Sequence, residues 1–395
     1  MSARRLRLGV AGLGRGFTLT LPSLARHPRV ALAAAADPAK EARQRFAADF
    51  GAATYETVEA LCADPAIEAV YVATPHELHA AHAVLAARHG KHVLVEKPMA
   101  IALDEARSMI EAARAAGVHI VVGPSHSFDA PVVRAREMIA SGAHGRVRML
   151  AAMYHTDFLY RPRRPEELDT AKGGGVVPSQ AAHQVDVLRL LAGSRATSVR
   201  AACGAWDPAR RAEGAYGGLV TFEDGVFATL AYSGYAHFDG DELCDAIGET
   251  GREKDPAAYG AARRALSAAA GSADEARSKR ARNYGGASYV PARGEDAPWH
   301  EHFGFVLASC ERADLRPTAK GVWVYGDAER RFEAMPKPAI PRAAVLDELC
   351  AAALDGKRPF HDGAWGMATL EVCLAILRSS REGREIALSH QDPVG

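Results

Sequence analysis

No uninterrupted apolar stretch in this chain approaches the roughly 20 residues that a bilayer-spanning helix needs, so no membrane span is expected. Net charge is lacking too. Lys plus Arg (48) equals Asp plus Glu (48), which leaves no global field to draw the protein to nucleic acid or a membrane surface. Any anion it binds must be met by a local cluster. The six cysteines (Cys62, Cys203, Cys244, Cys310, Cys350 and Cys373) contain no C-x-x-C pair and lie far apart, which excludes a disulfide framework and a zinc ribbon. The start, MSARRLRLGV, has no signal-peptide core or cleavage site and runs straight into a strand. Reduced thiols and a cytoplasmic location are expected. There is no internal repeat. What remains is ordinary globular composition, 48% apolar and 24% charged, spread over 395 residues. That length is too great for one core and predicts two domains, 1–123 and 124–395.

The first third alternates apolar runs with helical stretches. Leu6–Ala11, Val30–Ala36, Ala69–Ala73, His92–Val95 and His119–Val122 read as buried parallel strands. Thr74-Pro75-His76-Glu77 predicts an N-cap, a proline at the first helical position and a capping-box Glu, with Leu78, Ala81 and Leu85 on the apolar face. Leu103, Ala106, Ile110 and Ala113 form another stripe, closed by Gly117. Past residue 123 the rhythm changes. Arg146–Tyr154, Ser198–Ala205, Gly217–Glu223 and Gly225–Ser233 predict longer strands in a mainly antiparallel second sheet. The whole is α/β: a doubly wound N-terminal domain, then an α/β domain with an open sheet. Residues 261–298, rich in Ala, Arg, Ser and Gly, read as a weakly patterned insertion or an arm gripping another subunit.

Gly12-Leu13-Gly14-Arg15-Gly16-Phe17 follows the first strand directly. Glycines there permit a tight turn and let backbone approach a pyrophosphate at a helix N-terminus. The third glycine of G-x-G-x-x-G would fall at Phe17, and Gly16 precedes it by one. A purely structural turn would use the same residues. The second run ends in Asp37, roughly 25 residues after Gly12, where a carboxylate suits ribose hydroxyls and repels a 2′-phosphate. NAD is therefore favoured over NADP, against the plainer reading of an Asp-Pro turn.

Two further motifs lie at strand ends: Thr74-Pro75-His76 with His79, and Glu96-Lys97-Pro98. A Lys beside a cationic nicotinamide loses its proton more readily, which suits a base for an alcohol proton. A salt-bridged Lys is the plain alternative. His76, His79 and His82 spread around a helix, His300-Glu301-His302 sits in a loop, and neither set has a third ligand, so no metal is expected.

Together, G-x-G, T-P-x-x-x-H, G-K-H-V-x-x-E-K-P (Gly90 to Pro98) and G-G-G…H-x-x-D (Gly173 to Asp186) resemble the glucose–fructose oxidoreductase and inositol dehydrogenase (Gfo/Idh/MocA) superfamily. The resemblance covers nearly the whole chain. It implies a Rossmann domain, an open-sheet domain that forms homodimers or homotetramers, a nicotinamide cofactor held by Gly12, Gly14, Arg15, Gly16, Phe17, Asp37, Thr74, Pro75, His76, His79, Glu96 and Lys97, and catalysis by Lys97 and His183. Two positions depart from it: Ser179 stands where the family carries Asp, and His76 where it carries Asn. Asp157 to Thr170, running into Gly173-Gly174-Gly175, and Glu311 to Pro317 look like the phthalate 4,5-cis-dihydrodiol dehydrogenase subgroup. That narrower likeness implies a small carboxylated cyclic diol as substrate, met by Tyr160, Arg161, Arg163, Arg164, Ser179 and His183. Guanidinium forks stiffened by Pro162 and Pro165 fit carboxylates, although a loop salt-bridged to Glu166, Glu167 and Asp169 uses the same residues. Two other readings stay open. One is a sugar or inositol dehydrogenase; the other is an NAD-binding sensor without catalysis, suggested by Ser179 and the missing third glycine.

Overall fold

The computed structural model describes residues 4–269, 271–291 and 298–392. Six strands, β1 (Leu6–Ala11), β2 (Val30–Ala36), β3 (Ala53–Tyr55), β4 (Ala69–Val72), β5 (His92–Val95) and β6 (Ile120–Val122), form one sheet in the order β3-β2-β1-β4-β5-β6. All its pairs are parallel. Strand order reverses between β1 and β4, which opens a crevice at their carboxyl ends. Apolar residues on both faces of β1, β4 and β5 are buried, as a sheet covered by helices on both sides requires. Those helices are α1 (Arg15–Arg26), α2 (Lys40–Phe50), α3 (Val58–Ala63), α4 (His79–Arg88) and α5 (Leu103–Ala116).

The helix after β4 departs from expectation. Pro75 caps a short 3-10 turn over His76–Leu78 without a side-chain bond, and α4 proper begins only at His79. The Thr74 hydroxyl meets His82 Nδ1 at 3.1 Å instead of a backbone N–H. The buried face of α4 is Ala80, Ala83, Ala86 and Ala87, while Leu78 and Ala81 are exposed. Small side chains win the inner face because they let the helix approach its neighbours closely.

The second sheet holds β7 (Val147–His155), β8 (Ala196–Gly204), β9 (Ala215–Phe222), β10 (Phe227–Ser233), β11 (Phe305–Cys310), β12 (Ala313–Thr318), β13 (Gly321–Gly326), β14 (Arg330–Ala334) and β15 (Ile386–Ala387). Their order is β14-β13-β12-β11-β7-β10-β9-β8-β15. Only β7 and β10 pair in parallel; the other pairs are antiparallel. The β9–β10 hairpin turns through Asp224 (φ 66°) and Gly225 (φ 75°), the two left-handed positions that such a two-residue turn demands. Helix α6 (Ala130–Ala140) packs on β12 and β13, and α7 (Ala182–Ala192) packs on β7. Met149, Met153, Leu219 and Phe227 stand exposed on the sheet. Helices α8 (Ala261–Ser267), α9 (Ser272–Ala281), α10 (Ala343–Asp355) and α11 (Gly363–Glu382) complete the chain.

The chain divides into two compact units, but not contiguously. The first joins Met1–Pro124 with Arg277–Gly294 and Ile340–Met367; the second takes Ser125–Ala276, Glu295–Ala339 and Ala368–Gly395. The first break falls after Pro124. The later breaks arise because two segments, Arg277–Gly294 and Ile340–Met367, return to the Rossmann unit. Tyr284 is the clearest cause. Its ring meets Phe17 edge-on at 5.2 Å, and its hydroxyl donates to Asp49 Oδ2 at 2.7 Å. The described part of 261–298 is therefore bound to its own chain, through Tyr284 in one unit and through a buried Glu275–Arg210 pair (2.8 Å) in the other.

Tyr284→Phe should lower stability by about 1 kcal/mol through the lost hydrogen bond. Tyr284→Ala should cost about 3–5 kcal/mol by emptying the aromatic cluster. Denaturant unfolding followed by fluorescence measures both; equal stability of Tyr284→Ala and wild type would show that the Tyr284 contacts do not stabilise the fold.

Candidate functional site

Gly12 turns the chain at the end of β1 with φ +90°, and a Cβ there would sit 2.9 Å from the Ala73 carbonyl oxygen. Only glycine fits. Asp37 braces the same turn from the end of β2: Leu13 N–H donates to its Oδ2 and Ala39 N–H to its Oδ1, each at 2.8 Å. The carboxylate is thereby held beside the glycine turn, where ribose hydroxyls would meet it. Gly14 caps α1, and no atom lies within 4 Å of where its Cβ would be, so backbone is accessible to a phosphate. Gly16 instead approaches Glu96 closely, at 3.0 Å from a would-be Cβ. It performs the close-packing task of the third glycine one position early. Arg15 opens the helix on its exposed side. These residues fit a dinucleotide. Phe17 is a correction: its ring is fully buried against Phe46 and Tyr284, so its side chain belongs to the core.

The loops after β4 and β5 are tied together. His79 is fully buried, with Nδ1 2.8 Å from the Pro98 carbonyl oxygen and Nε2 2.8 Å from that of Thr74. Burial lowers its proton affinity, and the two carbonyls act in the opposite sense. Expected as a cofactor contact, His79 is a clamp behind the cleft. Glu96 is likewise buried and accepts from the Tyr71 hydroxyl at 2.5 Å. Burial raises its pKa, against the pull of Lys97, the Tyr71 bond and Arg342. It supports α1 rather than facing outward. Lys97 is the one partly exposed residue from Val93 to Ala100. Thr74, Pro75 and His76 are half-buried, and His76 stacks edge-on against His79 at 5.5 Å.

Lys97 belongs to the first unit and His183 to the second. In the second unit, α7 is buried at every position and carries His183 in its first turn. Asp186, one turn on, accepts hydrogen bonds from the hydroxyls of Ser127 and of Thr369 (3.0 Å for the latter). That anchors the His126–Phe128 turn, and the His126 ring lies 4.6 Å from the His183 ring. Phe303 packs on both imidazoles, at 5.1 and 4.7 Å. His126 Nδ1 meets Asp129 Oδ2 at 2.7 Å, and its Nε2 lies 3.9 Å from Glu249 Oε1. Burial opposes a proton on His126, but Asp129 and then Glu249 prevail and push its pKa up to about 9. The sequence reading missed His126, Asp129 and Glu249; the first two are three residues apart, but no local spacing links them to Glu249. Ser179 lies in a π-helical turn, where its hydroxyl donates to the Gly175 carbonyl four residues back.

The arginine segment resolves into three roles. Arg164 is engaged by its neighbours: its backbone N–H donates to Glu167 at 2.7 Å, and its Nε lies 3.3 Å from Glu166. Its backbone opens the 3-10 turn Pro165–Leu168, and its side chain is 30% exposed. Arg163 stacks on Phe158, 3.5 Å from the ring centroid, and donates to the Phe158 carbonyl. Arg161 donates through Nε to Asp157 at 3.0 Å and is 41% exposed. The Tyr160 ring is covered by Arg263 at 4.1 Å.

Asp37→Ser should raise the ratio of kcat/KM with NADP to that with NAD by about tenfold or more, some 1.4 kcal/mol, as charge repulsion at the 2′ position is lost. Steady-state kinetics with both cofactors tests this. Equal use of the two by the wild type would contradict the role.

Residues 6–124 match the oxidoreductase family with an NAD-binding Rossmann fold, and residues 132–253 match the GFO/IDH/MocA C-terminal domain. The chain is 44% identical over 377 residues, 95% of each protein, to a 1-carboxy-3-chloro-3,4-dihydroxycyclohexa-1,5-diene dehydrogenase of Comamonas testosteroni. A 1,5-anhydro-D-fructose reductase of Ensifer adhaerens is 40% identical over 181 residues, 44% of this chain and 52% of that protein. A crystal structure of a dehydrogenase from Bordetella bronchiseptica superposes with a TM-score of 0.88 at 42% identity, covering 97% of this chain and 100% of that one. Among the described residues no helix is long and apolar enough to cross a membrane. With its cofactor turn, strand-end Lys and buried His-x-x-Asp helix, the chain belongs to the Gfo/Idh/MocA family of NAD-binding oxidoreductases.

Proposed function

We propose that this chain oxidises a carboxylated cyclic cis-diol to the corresponding catechol, with Lys97 as proton acceptor and His183 orienting the reacting hydroxyl. The observation that carries this reading is the likeness, along 95% of both chains, to a dehydrogenase whose name describes a ring bearing a carboxyl and two adjacent hydroxyls. Bound NAD+ supplies the hydride acceptor. The C–H bond at the oxidised carbon breaks with its electron pair, the O–H proton passes to Lys97 Nζ, and the resulting enone tautomerises to the aromatic diol. Aromatisation draws the reaction toward NADH. Arg161 is the guanidinium we assign to the substrate carboxylate, because Arg163 is stacked and Arg164 is engaged locally. A sugar dehydrogenase is the second reading, supported by a likeness that spans only about half of the anhydrofructose reductase.

A second copy of this chain is the proposed protein partner. In register, Phe227 lies beside Met149 and Leu219 beside Thr229, which gives the sheet an exposed apolar row of the kind that another sheet covers. The cytoplasm is the proposed compartment, in keeping with six free thiols.

Absorbance of NADH, followed with a panel of carboxylated dihydrodiols, sugars and inositols, tests the activity directly; turnover of sugars alone would replace the proposal. One kinetic series then separates the side chains. Lys97→Ala should lower kcat by about 10²–10⁴ with NAD affinity nearly unchanged, and Lys97→Arg should not restore it. Arg161→Ala should raise KM for the diol acid roughly 10- to 100-fold, the equivalent of one charge-assisted contact, while Arg164→Ala should not. Near-normal turnover of folded Lys97→Ala would overturn Lys97 as the base. Light scattering on the purified protein should give a dimer or tetramer, and Phe227→Lys should shift it toward monomer; a wild-type monomer at micromolar concentration rules out the interface.

A further inference from the structure

His126, His183 and Glu249 are far apart in the sequence, yet each offers a ligand atom within 4.8 Å of the other two. The imidazoles are nearly sealed, at 3% and 5% exposure, whereas the Glu249 side chain is 30% exposed and forms the open side of the group. The arrangement is built, not incidental. Asp129 receives the Nδ1 proton of His126 at 2.7 Å, which turns Nε2 toward Glu249 and His183. A carboxylate behind a histidine in this way is the usual device for orienting an imidazole toward a metal. Phe303 packs on both rings.

Glu249 is held with similar care. Its turn closes through Gly248 N–H to the Arg252 carbonyl at 2.7 Å and Gly251 N–H to the Gly248 carbonyl at 2.8 Å. His302 Nε2 lies 2.8 Å from the Ile247 carbonyl oxygen at the foot of that turn. A second combination, His126 with Asp129 and Glu301, shares the same imidazole. It would require Asp129 to give up its place behind His126, so the first set is the better ligand group.

Two imidazole nitrogens and one carboxylate form a borderline donor set that suits zinc over magnesium or calcium. Such a three-ligand site leaves the fourth position for water or substrate oxygen. We propose that His126, His183 and Glu249 bind one zinc-class divalent cation, and that its open position receives an oxygen of the diol, so that His183 orients the hydroxyl through the cation. The cation stands on the geometry alone; the oxygen contact rests on the dihydrodiol reading. On binding, His126 coordinates through Nε2, which gives up to solvent any proton it carries, while its Nδ1–H keeps the hydrogen bond to Asp129. The cation then polarises the bound hydroxyl.

The test uses the full chain with any affinity tag removed. Elemental analysis after gel filtration should find about one zinc per chain, and Co2+ added to metal-depleted protein should give saturable visible bands of a four- or five-coordinate site. His126→Ala and Glu249→Gln should abolish both, with circular dichroism and NAD binding confirming that they fold. Asp129→Asn should weaken Co2+ affinity about 10- to 100-fold. His300→Ala, outside the cluster, should change nothing. Co2+ binding no stronger in wild type than in Glu249→Gln overturns the site. Addition of a dihydrodiol acid should shift the Co2+ bands; intact bands with a diol that is turned over would overturn the oxygen contact alone. Stoichiometric Co2+ binding without turnover of any diol would instead overturn the dihydrodiol reading and leave the cation site standing.

Discussion

A helix with no solvent-facing side must find a partner for every polar group it carries, and α7 is such a helix. Burying an unpaired amide or hydroxyl costs about 1–3 kcal/mol, and an unpaired charge more. Gln184 therefore accepts from the Tyr216 hydroxyl at 2.7 Å and donates to the Ala231 carbonyl at 3.1 Å. Arg189 and Asp186 share Thr369, at 2.8 and 3.0 Å. Each of these bonds fixes a neighbouring strand or turn as firmly as it satisfies the helix. The consequence for chemistry runs through Ser127: because Asp186 holds it, His126 is delivered to the side of His183.

The cofactor half obeys the same rule on a smaller scale. Strand ends are where backbone groups run out of ladder partners, and side chains take over. Asp37 takes the N–H groups of Leu13 and Ala39, and His79 bridges the carbonyls of Thr74 and Pro98. Glu96 stays buried because Tyr71 donates to it, and Gly16 leaves room for it under α1. The partly exposed Lys97 is thus flanked by residues whose positions are already determined.

Three arginines in four residues announce positive charge, but packing assigns each a different task. A guanidinium stacked on Phe158 and bonded to its carbonyl holds the loop together. One drawn in by Glu166 and Glu167 caps a turn. Of the three, Arg161 combines a single carboxylate contact, at 3.0 Å, with a partly exposed side chain. The charge count of the segment was plain from composition; the division of labour depended on which carboxylates the fold brought near.

Sequence by itself determined the elements whose signals are local. Continuous apolar runs marked β1, β2 and β5 to the residue, and Gly117, at φ 65°, ended α5 where a left-handed cap was expected. The glycine turn, Asp37 and the Gly90–Pro98 block were legible because close backbone approach restricts residue type at fixed spacing. Short β3 and the strands β11–β14 escaped, since three to six residues of mixed character carry little periodicity. Tertiary structure alone decided that Phe17 and Tyr284 share a core, that alanines form the inner face of α4, and that residues 277–294 and 340–367 return to the first unit. It alone joined His126, His183 and Glu249. Side chains from three separate segments leave no pattern along a chain; their meeting is set by how a buried helix and a pinned turn pack, which is a property of the fold.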